Sequence, residues 1–544
     1  MTPVSAIDGV TSQGLGVGRA EGRAVFVRGA IAGETVEARL DKVGRNGVWA
    51  TVRTVLDPSP HRIAPACPWF GTCGGCAFWH MDYEEELRAK ALRVTDALRR
   101  IGGQTLDPVP IHGAPELLGY RNKAQYPVGW QKGRAVAGFY RQRTHRVVPI
   151  TRCAIQPDQT DRAANAVVDW MNRFGVSVYN EKTGRGLVRH IHIRRATATN
   201  QTLVCLVVNG EAVPHSQELV DRLRRAEPSV TCVCLNVNQK PGNVVLGERF
   251  VPLYGPLWVE DELCGFTLRI SPASFYQVNA AQAQRLYDRA AELAGLTCRD
   301  VVLELYCGIG AITLALSRQA GRVFGVEIVA DAVADAKKNA LRNGVENVEF
   351  FQGDAGTVAA QMARQGIRPT VMVVDPPRKG IDRQVIDALA AMAPEKLVYI
   401  SCDPATLARD VKDLGEKGYA MQSAEAFDLF PRTGHVETVL LMSQQKPDDY
   451  VRVGIDLDEL EATAAESKAT YEEIKAHVLE HTGLKVSNLY ISQVKRKCGL
   501  EVGKNYNLSK SDNPKAPQCP KEKEDAIMAA LKDFQMLPQR EETA

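Results

Sequence analysis

Five short apolar runs between residues 301 and 402 each stop at a polar residue or a glycine loop, and this succession constrains the fold more than any other feature. Each run has the length of a buried strand, and the stretches between the runs can hold a helix. Alternating strands and helices predict a doubly wound, Rossmann-like α/β sheet in this part of the chain. The runs are 301–305 before Tyr306, 323–326 before Glu327, 350–352 before Gly353 and Asp354, 371–374 before Asp375, and 397–400 before Ser401 and Cys402.

The last run leads to Cys402, which is followed by Asp403 and Pro404. Open α/β sheets bind and transform ligands at the carboxyl ends of their strands, so a thiol at this point is a candidate nucleophile. A free cysteine is otherwise a small buried hydrophobe that stays inert unless its pKa is depressed. Taken alone, the position of Cys402 is compatible with both interpretations.

The first two runs carry a second signal. A loop with Gly308 and Gly310 follows the first run, and Glu327 ends the second run 23 residues after Glu304. This is about the distance at which a doubly wound fold places its ribose-binding carboxylate. A dinucleotide oxidoreductase would be expected to carry a third glycine after Gly310, where this chain continues with Ala311. The order of motifs therefore resembles that of S-adenosylmethionine-dependent methyltransferases.

At 544 residues the chain is too long for a single core. We expect a multidomain protein divided into residues 1–57, 58–265, 266–445 and 446–544. A net charge of +3 does not by itself indicate nucleic-acid binding, so any basic surface must be local. The chain begins without a basic leader and an apolar core, and it has no run long enough to span a bilayer. A cytoplasmic protein without membrane contacts is expected.

Short β-rich runs between turn signals fill residues 14–57 and predict a small β-barrel of the OB kind. The runs at 14–18 and 31–38 resemble a TRAM domain, a small RNA-binding barrel found in several RNA-modifying enzymes. Small barrels host many functions, so RNA binding is one of several possibilities here. The local positive charge comes from Arg19, Arg23, Arg28, Lys42 and Arg45.

Cys67, Cys73 and Cys76 lie within ten positions, and Cys153 is the next cysteine along the chain. Thirteen cysteines in a chain without a secretion signal indicate reduced thiols that serve as metal ligands or nucleophiles. The two glycines at 74–75 let the backbone curl so that neighbouring thiolates can converge. Four thiolates fit a [4Fe-4S] cluster or a structural zinc, and the three-plus-one spacing favours iron and sulfur over paired zinc knuckles.

Residues 120–146 read as strands that alternate cations with aromatic rings. Cations neutralise phosphate and rings stack on unpaired bases, as recognition of single-stranded RNA requires, although a solvated β surface has a similar composition. The cations are Arg121, Lys123, Arg141, Arg143 and Arg146, and the rings are Tyr120, Tyr126 and Tyr140. Two later runs, 203–208 and 231–236, read as buried strands, so Cys205, Cys232 and Cys234 are expected in the core.

Four further motifs, at 274–279, 375–378, 401–410 and 430–438, resemble those of the RNA uracil-5-methyltransferase family. The cysteine cluster and the amino-terminal barrel are similar to the 23S ribosomal RNA branch of the family rather than the transfer RNA branch. This chain departs from the usual pattern at Trp79, where the family has Gln, and at Glu304, where Asp is commoner. The resemblance implies that Gln277, Tyr306, Glu327 and Asp375 contact S-adenosylmethionine, Cys402 is the nucleophile, Glu437 is the base, and Cys67, Cys73, Cys76 and Cys153 bind a [4Fe-4S] cluster.

The implied activity is methylation of carbon 5 of a uridine in 23S ribosomal RNA. Carbon 5 of uracil is a poor nucleophile, but addition of a thiolate to carbon 6 generates an enolate that can take a methyl group. A base must then remove the proton on carbon 5, which suits a carboxylate such as Glu437. The target base must also leave its stack to reach the site. RNA is the expected partner, and no obligate protein partner is evident.

Other interpretations stay open. A transfer RNA uridine-5 methyltransferase would share the motifs, and a cytosine-5 methyltransferase would share the thiol chemistry. The latter is expected to carry Pro-Cys or Thr-Cys-Ser where this chain has Ser401, Cys402 and Asp403. Methyltransferases of exocyclic amines tend to show Asn-Pro-Pro followed by an aromatic residue and need no cysteine. A non-catalytic RNA-binding iron-sulfur protein is the remaining alternative.

Residues 446–544 form an extension that the family core does not require. Helical spacing over 457–483 and a last helix over 522–534 predict a basic helical segment. It looks like an extension found on some bacterial members of the 23S branch. An auxiliary RNA-contacting module and a solvated tail packed on the catalytic domain are equally compatible with its composition.

Overall fold

The structure is a computed structural model. It describes residues 2–4, 6–20, 22–45, 47–242, 244–445, 469–498, 500, 518–534 and 536–537. Met1–Asp448 form one compact unit and Asp449–Ala544 form a second. None of the helices in the described ranges combines the length and the apolar character needed to cross a bilayer.

The amino-terminal module is a six-stranded sheet, as the short β-rich runs predict. Its strands pair in the order β1-β5-β6-β4-β3-β2. The apolar side chains of alternate positions, including Val25, Val27 and Val36, form its core, while the five predicted cations are exposed. The strands are β1 Thr2–Val4, β2 Gly9–Val10, β3 Leu15–Ala20, β4 Arg23–Arg28, β5 Thr35–Gly44 and β6 Gly47–Asp57.

A seven-stranded sheet follows, in the order β10-β9-β8-β11-β12-β13-β14, with α2 and α3 packed on one face. Strand β12 is buried throughout, and Cys205, Cys232 and Cys234 lie in the core as predicted. This part comprises α1 Tyr83–Arg100, β7 Ile111–His112, β8 Lys123–Gln131, β9 Arg134–Tyr140, β10 Val147–Pro149, α2 Asp158–Phe174, β11 Val188–Arg195, β12 Thr202–Val208, α3 Ser216–Ala226, β13 Val230–Val237 and β14 Arg249–Tyr254. A hairpin of β15 Val259–Leu263 and β16 Phe266–Ile270 leads onward.

The predicted doubly wound sheet is present, with eight strands in the order β19-β18-β17-β20-β21-β23-β22-β7. The strands from β19 to β21 are parallel, and β23 inserts antiparallel between β21 and β22. The elements are α4 Ala280–Ala294, β17 Val301–Leu305, α5 Ala311–Ser317, β18 Arg322–Glu327, α6 Ala330–Arg342, β19 Val348–Gln352, α7 Ala355–Arg364, β20 Val371–Val374, α8 Arg383–Met392, β21 Lys396–Ser401, α9 Pro404–Gly415, β22 Tyr419–Phe427 and β23 Glu437–Gln444.

Helix α1 is tied to the segment between β22 and β23 by buried charges. The Lys90 ammonium group lies 2.7 Å from Glu86 and 2.7 Å from Asp428, and all three side chains are fully buried. The backbone N–H of Arg432 donates to Glu86 at 2.7 Å. Because an unpaired buried charge is costly, these contacts fix the path of the chain that leads into Glu437.

The second unit contains three helices in the residues that the structure describes. They are α10 Tyr471–Thr482, α11 Asn488–Lys497 and α12 Lys521–Asp533. Their small core includes Ile474, Val478, Ile491, Ile527 and Leu531. The predicted helical stretch over 457–468 lies outside the described residues.

Candidate active site

Cys402 lies directly after β21, at the carboxyl end of a parallel strand, as its sequence context predicts. The Asp403 side chain caps α9 by accepting from the backbone N–H groups of Ala405 at 3.0 Å and Thr406 at 3.1 Å. The thiol therefore lies between a strand end and a capped helix, and it is half-buried. It lines a cavity of about 470 Å³.

Glu437 lies beside Cys402 because of the antiparallel pairing of β21 with β23. Ser401 stands opposite Thr438 in this ladder. One further step along the same register brings the position of Cys402 opposite that of Glu437, and the carboxylate acts electrostatically on the thiol. Glu437 is only 3% exposed. The structure thus brings together two residues that are 35 positions apart in the sequence, counted as 437 minus 402.

The thiol and the two carboxyl groups of this site all have raised pKa values. Burial, together with the nearby carboxylates of Glu437 and Asp375, raises the pKa of Cys402 to about 11. Burial and Asp375 also raise the pKa of Glu437 well above its usual range, and burial raises the pKa of Asp375 to about 7. A cation that enters the site would lower all three pKa values.

Arg378 places a positive charge beside Cys402 and Glu437. Its guanidinium lowers the pKa of both Cys402 and Glu437, against the larger effect of burial. It also lies 3.3 Å from Nδ1 and 3.4 Å from Nε2 of His435. Burial and neighbouring cations lower the pKa of His435 to about 4, so this ring is neutral and can accept a hydrogen bond from Arg378. Both side chains line the cavity that contains Cys402.

The predicted ribose carboxylate is held at the end of β18 by the neighbouring glycine loop. Glu327 accepts from the backbone N–H of Gly308 at 3.1 Å and of Val329 at 2.9 Å. Tyr306, directly after β17, adopts a left-handed conformation with φ 69°. Its backbone N–H and that of Cys307 both donate to the Val326 carbonyl, at 2.8 and 3.0 Å. The ends of β17 and β18 are therefore locked together.

Asp375 and Gln277 complete the same edge of the sheet. Asp375 follows β20, the other neighbour of β17, and its backbone N–H donates to the Leu305 carbonyl at 3.4 Å. Burial is the largest cause of the raised pKa of Tyr287. The Asp375 carboxylate raises this pKa further and a hydrogen bond with Gln277 lowers it, so both side chains lie near Tyr287. The four residues that the resemblance assigns to S-adenosylmethionine thus lie at the carboxyl edge of adjacent strands or next to it, where doubly wound folds bind ligands.

Cys67, Cys73, Cys76 and Cys153 line the same cavity as Cys402. All four thiols are half-buried. The pKa of Cys76 is raised to about 12 by burial and also by Cys153, Cys73 and Cys67, so the four sulfur atoms act on one another. Gly74 allows the backbone to approach Tyr140 closely, because a Cβ atom at position 74 would lie only 3.1 Å from the Tyr140 carbonyl oxygen. The four predicted ligands therefore line one cavity.

The structure does not show a metal site at the four cysteines. Within the described ranges, no group of three or more His, Cys, Asp or Glu side chains is placed to hold a metal ion. The [4Fe-4S] site that the resemblance implies stays a prediction. Trp79, Tyr120 and Ile155 supply an apolar shell beside the thiols.

The prediction that Tyr120 and Tyr126 stack on RNA bases is wrong. Tyr120 and Tyr126 are buried, and their hydroxyl groups donate to the Pro431 carbonyl and to Asp161, at 2.9 Å each. Lys123 is also drawn inward, and burial, Arg194 and Arg121 lower its pKa to about 8. The sequence pattern located the right strands but did not reveal which of their side chains face the core.

Two contributions to the site were missed by sequence reasoning. Arg378 was read only as part of a motif, and its charge acts on both Cys402 and Glu437. Trp79 was noted as a departure from the family pattern. This residue is 3% exposed and belongs to the apolar cluster that packs against Cys67, Cys76 and Cys153. The motifs contained both residues, but only the folded chain shows what they touch.

Comparison with known proteins defines the class. The chain is 40% identical over 437 residues to an RNA methyltransferase of Clostridium tetani, covering 80% of this chain and 95% of the relative. It is 41% identical over 437 residues to an RNA methyltransferase of Halalkalibacterium halodurans, with the same coverage. The fold is similar to a Pyrococcus abyssi tRNA (uracil-54, C5)-methyltransferase in complex with S-adenosyl-L-homocysteine. That match has a TM-score of 0.64 at 24% identity and covers 81% of this chain and all of the other.

The protein is therefore an S-adenosylmethionine-dependent RNA methyltransferase. Residues 82–445 match the model of the tRNA (uracil-5-)-methyltransferase family, and residues 6–52 match that of the TRAM domain. The chain belongs to this uracil-5-methyltransferase family.

We predict that Arg378→Gln raises the pKa of Cys402, because it removes a cation that opposes burial at this thiol. Alkylation of Cys402 by iodoacetamide, followed by peptide mass spectrometry, should slow by about three- to tenfold at pH 9, since only the thiolate reacts. The exposed Arg383→Gln is the matched control and should leave the rate unchanged. An unaltered rate in Arg378→Gln would show that this charge does not act on the thiol.

Proposed function

We propose that this chain methylates carbon 5 of a uridine in 23S ribosomal RNA. The observation that carries the proposal is the placement of Cys402, which lines a cavity with room for a nucleobase, opposite the Glu437 position. A pyrimidine C5 methyltransferase of this kind needs a nucleophilic thiol and a base on the same ring. Family membership supports the reaction type, and the ribosomal substrate is the finer part of the proposal.

Cys402 begins the reaction. Its thiol gives up a proton and its sulfur bonds to carbon 6 of the uracil ring, while the electron pair of the C5–C6 double bond moves toward carbon 5 and the carbonyl at position 4. The guanidinium of Arg378 favours the thiolate needed for this step. Burial opposes the thiolate, so we expect the step to depend on the positive charges brought together when the substrates bind.

S-adenosylmethionine supplies a methyl group on a positively charged sulfur, and we place it at Gln277, Tyr306, Glu327 and Asp375. Carbon 5, now electron-rich, bonds to that methyl group as the bond between the methyl carbon and the sulfonium sulfur breaks, and S-adenosylhomocysteine leaves. Glu437 then removes the remaining proton from carbon 5, the C6–sulfur bond breaks, and the Cys402 thiolate is released. Burial raises the pKa of Glu437, which makes its ionised form a stronger base than an exposed glutamate.

The proposed [4Fe-4S] cluster is bound by Cys67, Cys73, Cys76 and Cys153. Thiol addition and methyl transfer involve no net exchange of electrons, so we assign the cluster a structural role. These thiols line the cavity of Cys402, and the cluster would fix that wall by joining residues 67–76 to Cys153. Tyr120, whose hydroxyl donates to the Pro431 carbonyl, links the same shell to the segment before Glu437.

The proposal assigns residues 1–57 and 58–265 to RNA binding, with the cluster in the second, and residues 266–445 to methyl transfer. Residues 446–544 have no assigned role. The cysteine cluster together with the amino-terminal barrel supports ribosomal over transfer RNA, because both features resemble the 23S branch. A transfer RNA substrate is the second candidate, favoured by the description of the family that matches residues 82–445.

We predict that the purified protein transfers radiolabelled methyl groups to unmodified ribosomal RNA and that Cys402→Ser lowers the rate at least a thousandfold, because a hydroxyl is a far weaker nucleophile at neutral pH. The product should be 5-methyluridine in 23S RNA by nuclease mapping. The exposed Cys298→Ser is the matched control and should retain activity. Label on transfer RNA alone, or on cytosine or adenine, would contradict the assignment.

We also predict that anaerobically purified protein contains about four iron atoms and four sulfides per chain. Cys153→Ser should lose most of the iron and the associated visible absorbance, whereas Cys298→Ser should keep both. Zinc in place of iron, measured by elemental analysis of the same preparation, would contradict the proposed cluster.

A further inference from the structure

A second cavity lies on the central sheet and shares no lining residue with the cavity of Cys402. It has a volume of about 1050 Å³ and is bounded by the β8–β9 hairpin, by residues 175–182 after α2 and by the start of β11. We call it the hairpin pocket. Nothing in the methyl-transfer chemistry uses it.

Trp130 is the most unusual residue of the hairpin pocket. It lies near the end of β8 with 60% of its surface exposed. An exposed tryptophan leaves a large apolar surface in water, and burying that surface against a ligand would be favourable. Tyr140, on the adjacent strand β9, lines the same pocket and packs against His145 with ring centroids 5.3 Å apart. The pocket therefore offers aromatic surface.

The rim of the hairpin pocket is positively charged. Lys132, Arg146 and Lys182 are exposed, and within the described residues none of them forms an ion pair. Glu181 is the acid of the lining, and it is already engaged by His145 at 3.0 Å. Three free cations beside aromatic rings suit a ligand that combines phosphates with flat bases.

The floor of the hairpin pocket carries unused polar atoms. Nδ1 of His190 and Nε of Arg189 are buried there without a hydrogen-bond partner. Arg189 is held rigidly, because its Nη1 donates to the carbonyls of Asn238 and Lys240 at 2.8 Å each and its guanidinium lies 4.4 Å above the Tyr179 ring. Buried polar atoms without partners are costly, and a base edge could satisfy them.

The hairpin pocket and the cavity of Cys402 lie along one strand. Gln125 of β8 lines the first cavity, and Gly129 of the same strand lines the hairpin pocket. Four residues of a strand span about 14 Å. One RNA strand that places a uridine at Cys402 could therefore reach the hairpin pocket within about four nucleotides, at a stacked rise of 3.4 Å each.

We propose that the hairpin pocket binds an unpaired nucleotide of the substrate RNA close to the methylated uridine. Its base stacks on Trp130, and the adjoining phosphates contact Lys132, Arg146 and Lys182. The inference needs only that the substrate is RNA, so it holds for ribosomal and transfer RNA alike.

The test measures binding of a fluorescently labelled single-stranded RNA dodecamer of mixed sequence to the full-length protein, without methyl transfer. Trp130→Ala should weaken binding about tenfold, because base stacking on an aromatic ring contributes roughly that much per base. Trp130→Phe, which keeps a ring, should bind within about threefold of wild type. Leu341→Ala, also at an exposed apolar side chain, is the matched control and should bind as wild type does.

Charge is tested separately. Lys132→Gln and Lys182→Gln should each lower the slope of log Kd against log salt concentration by about 0.7, the value for one phosphate contact in a single strand. Lys338→Gln, on the exposed face of α6, should leave the slope unchanged. Equal binding by wild type and Trp130→Ala, or unchanged salt slopes, would overturn the proposal. Because no methylation is measured, failure here is distinct from failure of the proposed 23S activity.

Discussion

The antiparallel pairing of β23 with β21 is the interaction on which the candidate site depends. A purely parallel sheet would leave Cys402 at an open strand end with no strand running back beside it. Inserting β23 in the opposite direction places the start of one strand next to the end of the other, so Glu437 comes opposite the position of the thiol. The buried contacts of Lys90 with Glu86 and Asp428 then fix the segment that leads into β23.

Burial of Cys402 and Glu437 affects their reactivity in two opposite ways. Desolvation raises the pKa of both Cys402 and Glu437. The thiol is therefore a poor nucleophile until the substrates bind, and it resists unwanted reactions. The same desolvation strengthens the effect of any charge that enters, because electrostatic interactions are larger in a low dielectric. Arg378 is the permanent part of that charge, and the substrates would supply the rest.

One cavity is lined by cysteines from distant parts of the chain. Cys67, Cys73, Cys76 and Cys153 line it together with Cys402, Phe430 and His435. The proposed cluster at the first four would set the shape of the space that a flipped base must enter.

The sequence predicted whatever depends on local pattern. Strand ends at Tyr306, Glu327, Asp375 and Cys402 follow from apolar runs that stop abruptly, and the glycine loop follows from its own spacing. It could not reveal which strands become neighbours, so the adjacency of Cys402 and Glu437 rested on resemblance alone. Tyr120 and Tyr126 were misjudged for the same reason, since burial of a ring depends on what packs over it: Tyr126 lies in the core with α2. Arg378 acquires its role only in the folded chain, where it lines the cavity of Cys402 together with His435.

The central claim is that the sulfur of Cys402 bonds to carbon 6 of the target uridine. Its most direct test replaces uridine by 5-fluorouridine in the RNA, because fluorine at carbon 5 cannot be removed as a proton and the adduct should persist after methyl transfer. Mass spectrometry of digested protein should then find the peptide of Cys402 joined to a methylated fluorouridine. An adduct on a different cysteine, or none under conditions where ordinary RNA is methylated, would contradict the account.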